Sequence, residues 1–288
     1  MFDLLLLIVG LLALVKSADW LVVGASDIAA RFHVSPLAIG LTIVSFGTSM
    51  PEMLVTMISG LRHNPDLAIG NIVGSNIANV LLVLGIAAII RPLPVRDSTV
   101  VSEIPFSLTA ALLVGFLANA ALFTGNPALS ISRMDGAILL LFFALFLLYV
   151  YKMNRKPDDF NGDYKAGLST RKAALYVLLG VVGLYIGGQW VIGLARLWGV
   201  NDALLGLTIV AIGTSSPELV ASAVAALRGE TDIAVGNVVG SNIFNLLWIL
   251  GFTSALIELP FEVVTNTDLL MVIGSSVMIL VAMVTGRR

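Results

Sequence analysis

Apolar residues fill most of this chain in long runs that short polar clusters separate. Several runs reach the roughly 20 residues that a helix needs to cross a lipid bilayer. Few charged side chains interrupt them, which is typical of membrane-spanning helices rather than of helices in a soluble protein. The pattern predicts nine spans, at roughly 3–30, 35–61, 67–90, 101–123, 132–151, 172–198, 202–227, 231–257 and 268–285.

The composition agrees with a membrane protein. Of 288 residues, 58% are hydrophobic and 12% are charged, and the mean hydropathy is +1.00. A soluble fold of this size cannot bury so much apolar surface. The net charge of −2 and the lack of a basic patch outside one loop give no sign of nucleic-acid binding. We expect an all-α polytopic protein in contact with the lipid bilayer, and its oligomeric state stays open.

The positions of Lys and Arg predict the orientation of the spans. A polar loop at 152–172 divides the chain near its middle. With the predicted spans, twelve Lys and Arg residues lie on the side of this loop and three on the other side. Basic loops favour the cytoplasm. The sequence therefore predicts a cytoplasmic central loop and an outside N-terminus in a cell membrane.

The chain contains an internal repeat. A shift of 166 residues aligns Gly40–Gly85 with Gly206–Gly251, and 25 of the 46 aligned positions are identical. The shift crosses five predicted spans, an odd number, so the two copies should enter the membrane from opposite faces. Inverted-topology repeats are typical of secondary transporters, whose sites lie near the midplane. We predict a first repeat at 1–151 with five spans, the loop at 152–172, and a second repeat at 173–288 with four.

Each copy carries polar residues inside apolar helices. The stretches "GLTIVSFGTSMPEM" and "GLTIVAIGTSSPEL" begin at Gly40 and Gly206, and the stretches "GNIVGSNIAN" and "GNVVGSNIFN" follow them. The prolines should break the helices near the bilayer centre, where exposed backbone is tolerated only beside a cavity or an ion. Hydroxyl, amide and carboxylate oxygens without sulfur or imidazole suit hard cations such as Ca²⁺ and Na⁺. These oxygens belong to Thr48, Ser49, Glu52, Ser75, Asn79, Thr214, Ser215, Glu218, Ser241 and Asn245.

Two readings of the buried glutamates compete. A single intramembrane glutamate can be protonated or bonded to a neighbouring helix, and glycines in a span can serve helix packing alone. Two glutamates at duplicated positions in oxygen-rich blocks favour a functional site instead. Glu52 and Glu218 should converge and neutralise one divalent cation.

These motifs resemble those of a known family. "GTSMPE" with "GSNIAN", and "GTSSPE" with "GSNIFN", are similar to the paired repeat motifs of the calcium/cation antiporter superfamily, in particular its prokaryotic sodium/calcium exchanger branch. The resemblance implies ten spans in two inverted halves and four broken central helices that hold the ions. It implies Na⁺/Ca²⁺ exchange by alternating access, with no cofactor and no catalytic residue. It also implies backbone carbonyl ligands at Ser45 and Ala211, and it assigns the central acidic ligands to Glu52 and Glu218.

Two departures from the family pattern concern the ion core and the number of spans. Some relatives carry Asp at the position of Asn245, so this ion core should contain two ionisable carboxylates rather than three. The sequence ends at "VTGRR" after the ninth predicted span, so we expect the family's tenth span to be absent from this chain.

The leading interpretation is a Na⁺/Ca²⁺ antiporter, because the hydroxyl and amide oxygens suit additional monovalent sites. The alternative is a Ca²⁺/H⁺ antiporter in which the glutamates exchange protons for Ca²⁺. A channel would not require inverted broken helices with carboxylates. An intramembrane hydrolase with Ser49 or Ser215 as nucleophile would need a base, and neither block contains a His or Lys.

Overall fold

The computed structural model describes residues 2–93, 102–123, 129–153, 167–197, 214–262 and 265–285. Nearly all of them are helical. The α-helices are α1 (Phe2–Phe32), α2 (Pro36–Ile39), α3 (Ser45–Thr48), α4 (Met50–Leu61), α5 (Pro65–Ala78), α6 (Leu84–Ile90), α7 (Ile104–Ala118), α8 (Ala120–Phe123), α9 (Arg133–Met153), α10 (Thr170–Leu197), α11 (Ser216–Arg228), α12 (Thr231–Ile243), α13 (Leu250–Leu256) and α14 (Thr265–Thr285). Two short strands, β1 (Ser130–Ile131) and β2 (Leu259–Pro260), pair antiparallel, with Ile131 opposite Leu259.

Within the described residues, three π-helical segments connect shorter α-helices into longer ones. They are π1 (Gly40–Val44) between α2 and α3, π2 (Asn79–Val83) between α5 and α6, and π3 (Phe244–Ile249) between α12 and α13. A π turn widens the helix locally and occurs frequently at functional sites. Here each one falls inside a duplicated motif, and the apolar pattern of the sequence did not predict them.

The described helices confirm an all-α protein with membrane-spanning segments. Five are long and apolar enough to cross a bilayer, and a sixth span results if the pair Pro36–Thr48 and Met50–Leu61 is counted as one. The number of nine spans and the inverted orientation of the repeats stay predictions. The predicted span at 202–227 lies partly outside the described residues.

The helix that carries the motif "GNVVGSNIFN" lies at the centre of the fold. In Thr231–Leu256, 94% of the apolar window is buried inside the protein, against 28% in each of Arg133–Lys152 and Thr265–Thr285. The two latter helices therefore present most of their apolar surface outward, as lipid-facing helices do. The polar residues of α12 and π3 are enclosed by protein.

Glycines allow the central helices to approach closely. A Cβ atom on Gly236 would lie 2.7 Å from the carbonyl oxygen of Leu37 and 3.0 Å from the Cα of Gly40. A Cβ on Gly240 would lie 2.8 Å from the Cα of Leu41. Small residues at such crossings bring helix backbones into contact. The block that starts at Gly40 is thereby held directly against the motif "GNVVGSNIFN" of the second copy.

Candidate cation-binding site

The block that starts at Gly40 contains a bend at Ser49. Helix α3 ends at Thr48, α4 begins at Met50, and the two segments are bent by 48°. Ser49 has φ −81° and ψ 8°, outside helical geometry. Pro51 lies in the first turn of α4, where a missing N–H leaves no intrahelical bond unmade. The break predicted from the proline therefore lies two residues before it.

The equivalent block of the second copy has the same local geometry. Ser215 has φ −81° and ψ 5° and immediately precedes α11, which carries Pro217 in its first turn. Glu52 and Glu218 also lie in the first turns of their helices, where the helix dipole favours negative charge. The two breaks thus place two carboxylates at equivalent positions.

The structure brings the two glutamates into one buried cluster. Both side chains are 0% exposed. Glu52 Oε1 accepts hydrogen bonds from Ser215 Oγ at 3.1 Å and from Ser75 Oγ at 3.4 Å. The equivalent serines donate to Glu218, whose Oε1 accepts from Ser49 Oγ at 2.9 Å and from Ser241 Oγ at 3.5 Å. Every glutamate therefore contacts one serine of its own copy and one of the other copy.

The threonines of the two blocks donate across the copies. Thr48 Oγ1 donates to Asn237 Oδ1 at 3.0 Å, and Thr214 Oγ1 donates to Asn71 Oδ1 at 3.3 Å. Both threonines are fully buried. Each hydroxyl oxygen is also an acceptor with two lone pairs, so the threonines can serve a further partner in addition to the asparagine.

Asn71 and Asn237 also hold the helices that carry the glutamates. Asn71 Nδ2 donates to Thr56 Oγ1 at 3.0 Å and to the backbone carbonyl of Glu52 at 3.3 Å. Asn237 Nδ2 donates to Ser222 Oγ at 2.9 Å and to the backbone carbonyl of Glu218 at 3.4 Å. Sequence reasoning missed both residues, although each is the Asn of a duplicated "GN" that could have indicated them.

Asn79 and Asn245 form the next layer along the same helices. Asn79 Nδ2 donates to Asn242 Oδ1 at 3.1 Å, and Asn245 Nδ2 donates to Asn76 Oδ1 at 3.0 Å. Asn79 lies one turn beyond Ser75, and Asn245 one turn beyond Ser241, because four positions separate the members of each pair. Asn76 and Asn242 were not among the predicted site residues.

Four buried oxygens in this region lack a hydrogen-bond donor within the described part of the chain. They are Oε2 of Glu52, Oε2 of Glu218, Oδ1 of Asn79 and Oδ1 of Asn245. A buried acceptor left unpaired costs about 1–3 kcal/mol. All four are hard oxygen atoms, the ligand type that Ca²⁺ and Na⁺ prefer. The residues present therefore fit a bound hard cation.

The structure describes one of the two predicted carbonyl ligands. The carbonyl oxygen of Ser45 accepts hydrogen bonds from the backbone N–H of Ser49 at 3.0 Å and from Thr48 Oγ1 at 3.3 Å. Ala211 lies outside the described residues. Among the residues that are described, no group of three or more His, Cys, Asp or Glu side chains could hold a metal ion together. The charge of the site within these residues rests on two carboxylates.

Buried, duplicated oxygen atoms inside a helical membrane fold suit a cation transporter. Comparison with known proteins agrees with this class. The profile of the sodium/calcium exchanger protein family matches residues 2–152 and 172–287. The chain therefore belongs to the sodium/calcium exchanger family, which supports Ca²⁺ and cation exchange as its activity.

Individual relatives cover most of the chain. The putative antiporter CaxA of Alkalimonas amylolytica is 42% identical over 255 residues, which are 85% of this chain and 77% of that protein. The sodium/calcium exchanger MaX1 of Methanosarcina acetivorans is 31% identical over 292 residues, with coverages of 87% and 82%. A structure of the sodium-calcium exchanger NCX_Mj matches with a TM-score of 0.84 and 30% identity, over 98% of this chain and 90% of that one. These relatives are transporters, which confirms the expectation that the protein is an antiporter of the membrane and not an enzyme.

Proposed function

We propose that this protein is a secondary antiporter that exchanges Na⁺ for Ca²⁺ across the membrane. The observation that carries the proposal is the reciprocal glutamate cluster. Glu52 and Glu218 each accept a hydrogen bond from a serine hydroxyl of the other copy, and each keeps one buried carboxylate oxygen unpaired among the described residues. Two carboxylates neutralise one Ca²⁺, so the ion would lie between them.

The neutral oxygens around the glutamates would complete the ligand shell. Ca²⁺ takes 6–8 oxygen ligands at about 2.3–2.6 Å. The carboxylates can supply up to four, and the remainder would come from hydroxyl and amide oxygens. The proposed ligand set is Glu52, Glu218, Thr48, Ser49, Thr214, Ser215, Ser75, Ser241, Asn79 and Asn245, with backbone carbonyls of Ser45 and Ala211.

Sodium is proposed as the ion exchanged for Ca²⁺ because neutral oxygens outnumber carboxylates in the site. Na⁺ can occupy positions between hydroxyl and amide oxygens that a proton would leave unfilled. Proton coupling is the second candidate. It is favoured by the two carboxylates, which are completely buried and could each carry a proton on the unpaired Oε2 when Ca²⁺ leaves.

Transport would proceed by alternating access to this one site. The reciprocal contacts of the two copies support a pair of inverted repeats, in which either half can open while the other closes. The orientation that we propose has the N-terminus outside and the loop 152–172 in the cytoplasm, because that loop carries a concentration of Lys and Arg.

Calcium flux into vesicles that contain the purified protein tests the proposal. A Na⁺ gradient and a pH gradient are imposed separately, and uptake of radioactive Ca²⁺ is measured. The proposal predicts uptake with an outward Na⁺ gradient and little with a pH gradient alone. The reverse result would replace it with Ca²⁺/H⁺ exchange. Glu258→Gln, which removes an exposed carboxylate outside the site, is the matched control and should transport normally.

A further inference from the structure

Two asparagines lie directly behind the asparagines of the proposed ligand set. Asn242 Oδ1 accepts from Asn79 Nδ2 at 3.1 Å, and Asn76 Oδ1 accepts from Asn245 Nδ2 at 3.0 Å. All four side chains are buried, with at most 2% exposure. Both bonds join the first copy to the second. The arrangement is therefore a reciprocal pair of amide contacts between the repeats.

These contacts decide which end of each ligand amide remains available. An asparagine side chain has an acceptor oxygen and a donor nitrogen in nearly the same place, and only the oxygen can bind a cation. The Nδ2 atoms of Asn79 and Asn245 are occupied by acceptors, whereas their Oδ1 atoms have no partner among the described residues. Rotating either amide by half a turn would place two oxygens against each other and direct the NH₂ group away from its acceptor.

The available oxygens share the helix faces that meet the glutamates. Ser75 donates to Glu52, and Asn79 follows Ser75 by one helical turn. Ser241 has the same relationship to Glu218, and Asn245 follows it by one turn. The orientation of the two amides therefore decides whether a cation beside the glutamates meets the partial negative charge of an amide oxygen or the partial positive charge of an NH₂ group.

We propose that Asn76 and Asn242 are positioning residues, which orient the amides of Asn245 and Asn79 with their oxygens toward the cation. The inference rests on the proposed cation site and extends it to two residues outside the ligand set. Asn242 is itself held, since its Nδ2 donates to the backbone carbonyl of Asn76 at 3.5 Å. An acceptor that is fixed in this way can impose a direction on the amide that donates to it. Asn76 lacks such a second contact, because its Nδ2 has no partner among the described residues, so the direction of the Asn245 amide rests on its one bond to Asn76 Oδ1.

A double-mutant cycle separates positioning from simple packing. Asn242→Leu has a similar side-chain shape but no acceptor, so the Asn79 amide loses its orientation. Asn79→Asp carries an oxygen at both terminal positions, so orientation no longer matters there. Asn76→Leu and Asn245→Asp form the mirror cycle on the other side of the site. Ca²⁺ binding to the purified full chain in detergent is measured for the single and double variants.

We expect Asn242→Leu to weaken Ca²⁺ binding by about tenfold or more in the unmodified background, as loss of a buried hydrogen bond would. In the Asn79→Asp background the same change should weaken binding by less than about threefold, because the coupled interaction has already been removed. Asn242→Asp keeps an acceptor and should bind Ca²⁺ at least as tightly as the unmodified protein. The mirror cycle should give the same pattern.

Equal losses in both backgrounds would overturn the positioning role and leave the proposed function intact. Unchanged binding in Asn242→Leu would do the same. If Asn242→Leu does not fold, Asn242→Asp decides, because a tenfold loss in that variant would contradict the inference. An unmodified protein that binds no Ca²⁺ would instead reject the proposed function, and this inference with it.

Discussion

Ser215 Oγ donates a hydrogen bond of 3.1 Å to Glu52 Oε1, although 163 residues separate the two positions in the chain. Ser49 and Glu218 make the equivalent bond at 2.9 Å. Each repeat therefore supplies the carboxylate that accepts a hydrogen bond from the other repeat's serine. Because both bonds join the two copies, neither copy can form this cluster alone, and the proposed function depends on both.

The first prediction concerns these two serines. Ser49→Ala and Ser215→Ala each remove a hydrogen bond to a buried carboxylate, an interaction of about 1.5–3 kcal/mol. Each variant should therefore weaken apparent Ca²⁺ affinity by about tenfold or more, and the two losses should be similar. Ca²⁺ dependence of exchange in vesicles is the measurement. Ser254→Ala removes a buried serine that bonds only carbonyls of its own helix, and it should leave the affinity unchanged.

The second prediction follows from the charge of the site. With Asn79 and Asn245 neutral, one Ca²⁺ or two Na⁺ balance the two glutamates, whereas a third Na⁺ would leave a buried positive charge that costs several kcal/mol. Exchange should then be electroneutral, and a membrane potential should not change the rate of Ca²⁺ uptake. Asn245→Asp adds a third carboxylate, so uptake in that variant should become sensitive to the potential. A strong dependence on potential in the unmodified protein would contradict this charge balance.

The third prediction tests the close crossing of the central helices. Gly236→Ala would bring Cβ to 2.7 Å from the carbonyl oxygen of Leu37, with backbone on both sides of the contact. Overpacking of this kind costs about 1–3 kcal/mol, so the thermal midpoint in detergent should fall. Gly274→Ala is the control, because nothing among the described residues lies within 4 Å of its Cβ position. That variant should keep or raise the midpoint, since alanine favours helix by about 1 kcal/mol. Equal shifts of the thermal midpoint in the two variants would contradict the close approach of the helices at Gly236.

The fourth prediction concerns Glu230, which lies between α11 and α12. Burial, together with the nearby charge of Asp232, raises the pKa of Glu230 above its usual value of 4.5. The folded protein therefore favours the protonated carboxyl. Its stability falls as the pH rises through the interval between the unfolded and folded pKa values, because only the unfolded chain ionises there without penalty.

Glu230→Gln removes this penalty. The variant should have a higher thermal midpoint than the unmodified protein at neutral pH, and the difference should vanish at a pH below the ordinary value of 4.5. Thermal unfolding in detergent across this pH range is the measurement, with the exposed Glu258→Gln as a control. A difference that does not depend on pH would mean that the charge of Glu230 is not the cause.

The buried cluster of Glu52, Glu218 and the serines that contact them could be predicted from the sequence because the duplication marks these residues. A carboxylate that follows a proline in an apolar helix is rarely structural, and two at equivalent positions are less often so. The spacing of four between Ser75 and Asn79 places both residues on one face of a helix. The ion pair between Lys16 and Asp19, at 3.3 Å, is likewise a local contact between residues three positions apart.

Other features depend on contacts that the pattern of apolar positions does not encode. The π segments result from a local change in backbone hydrogen bonding, and the residues at their starts, such as Gly40 and Asn79, also fit an ordinary helix. Asn71 and Asn76 look like further polar residues on one helix until their partners in the other copy are known. Asp19 also pairs with Arg228, a contact between distant parts of the chain that only the fold brings together.

The most direct test of the central claim is Ca²⁺ binding to Glu52→Gln and to Glu218→Gln, measured beside the unmodified protein. One Ca²⁺ is proposed to lie between both carboxylates, so either change leaves one negative charge against a divalent ion in a low-dielectric site. Both variants should remain folded, and both should lose Ca²⁺ binding and Na⁺-driven uptake to a similar degree. Near-normal Ca²⁺ binding in either variant would show that the two glutamates do not share the ion.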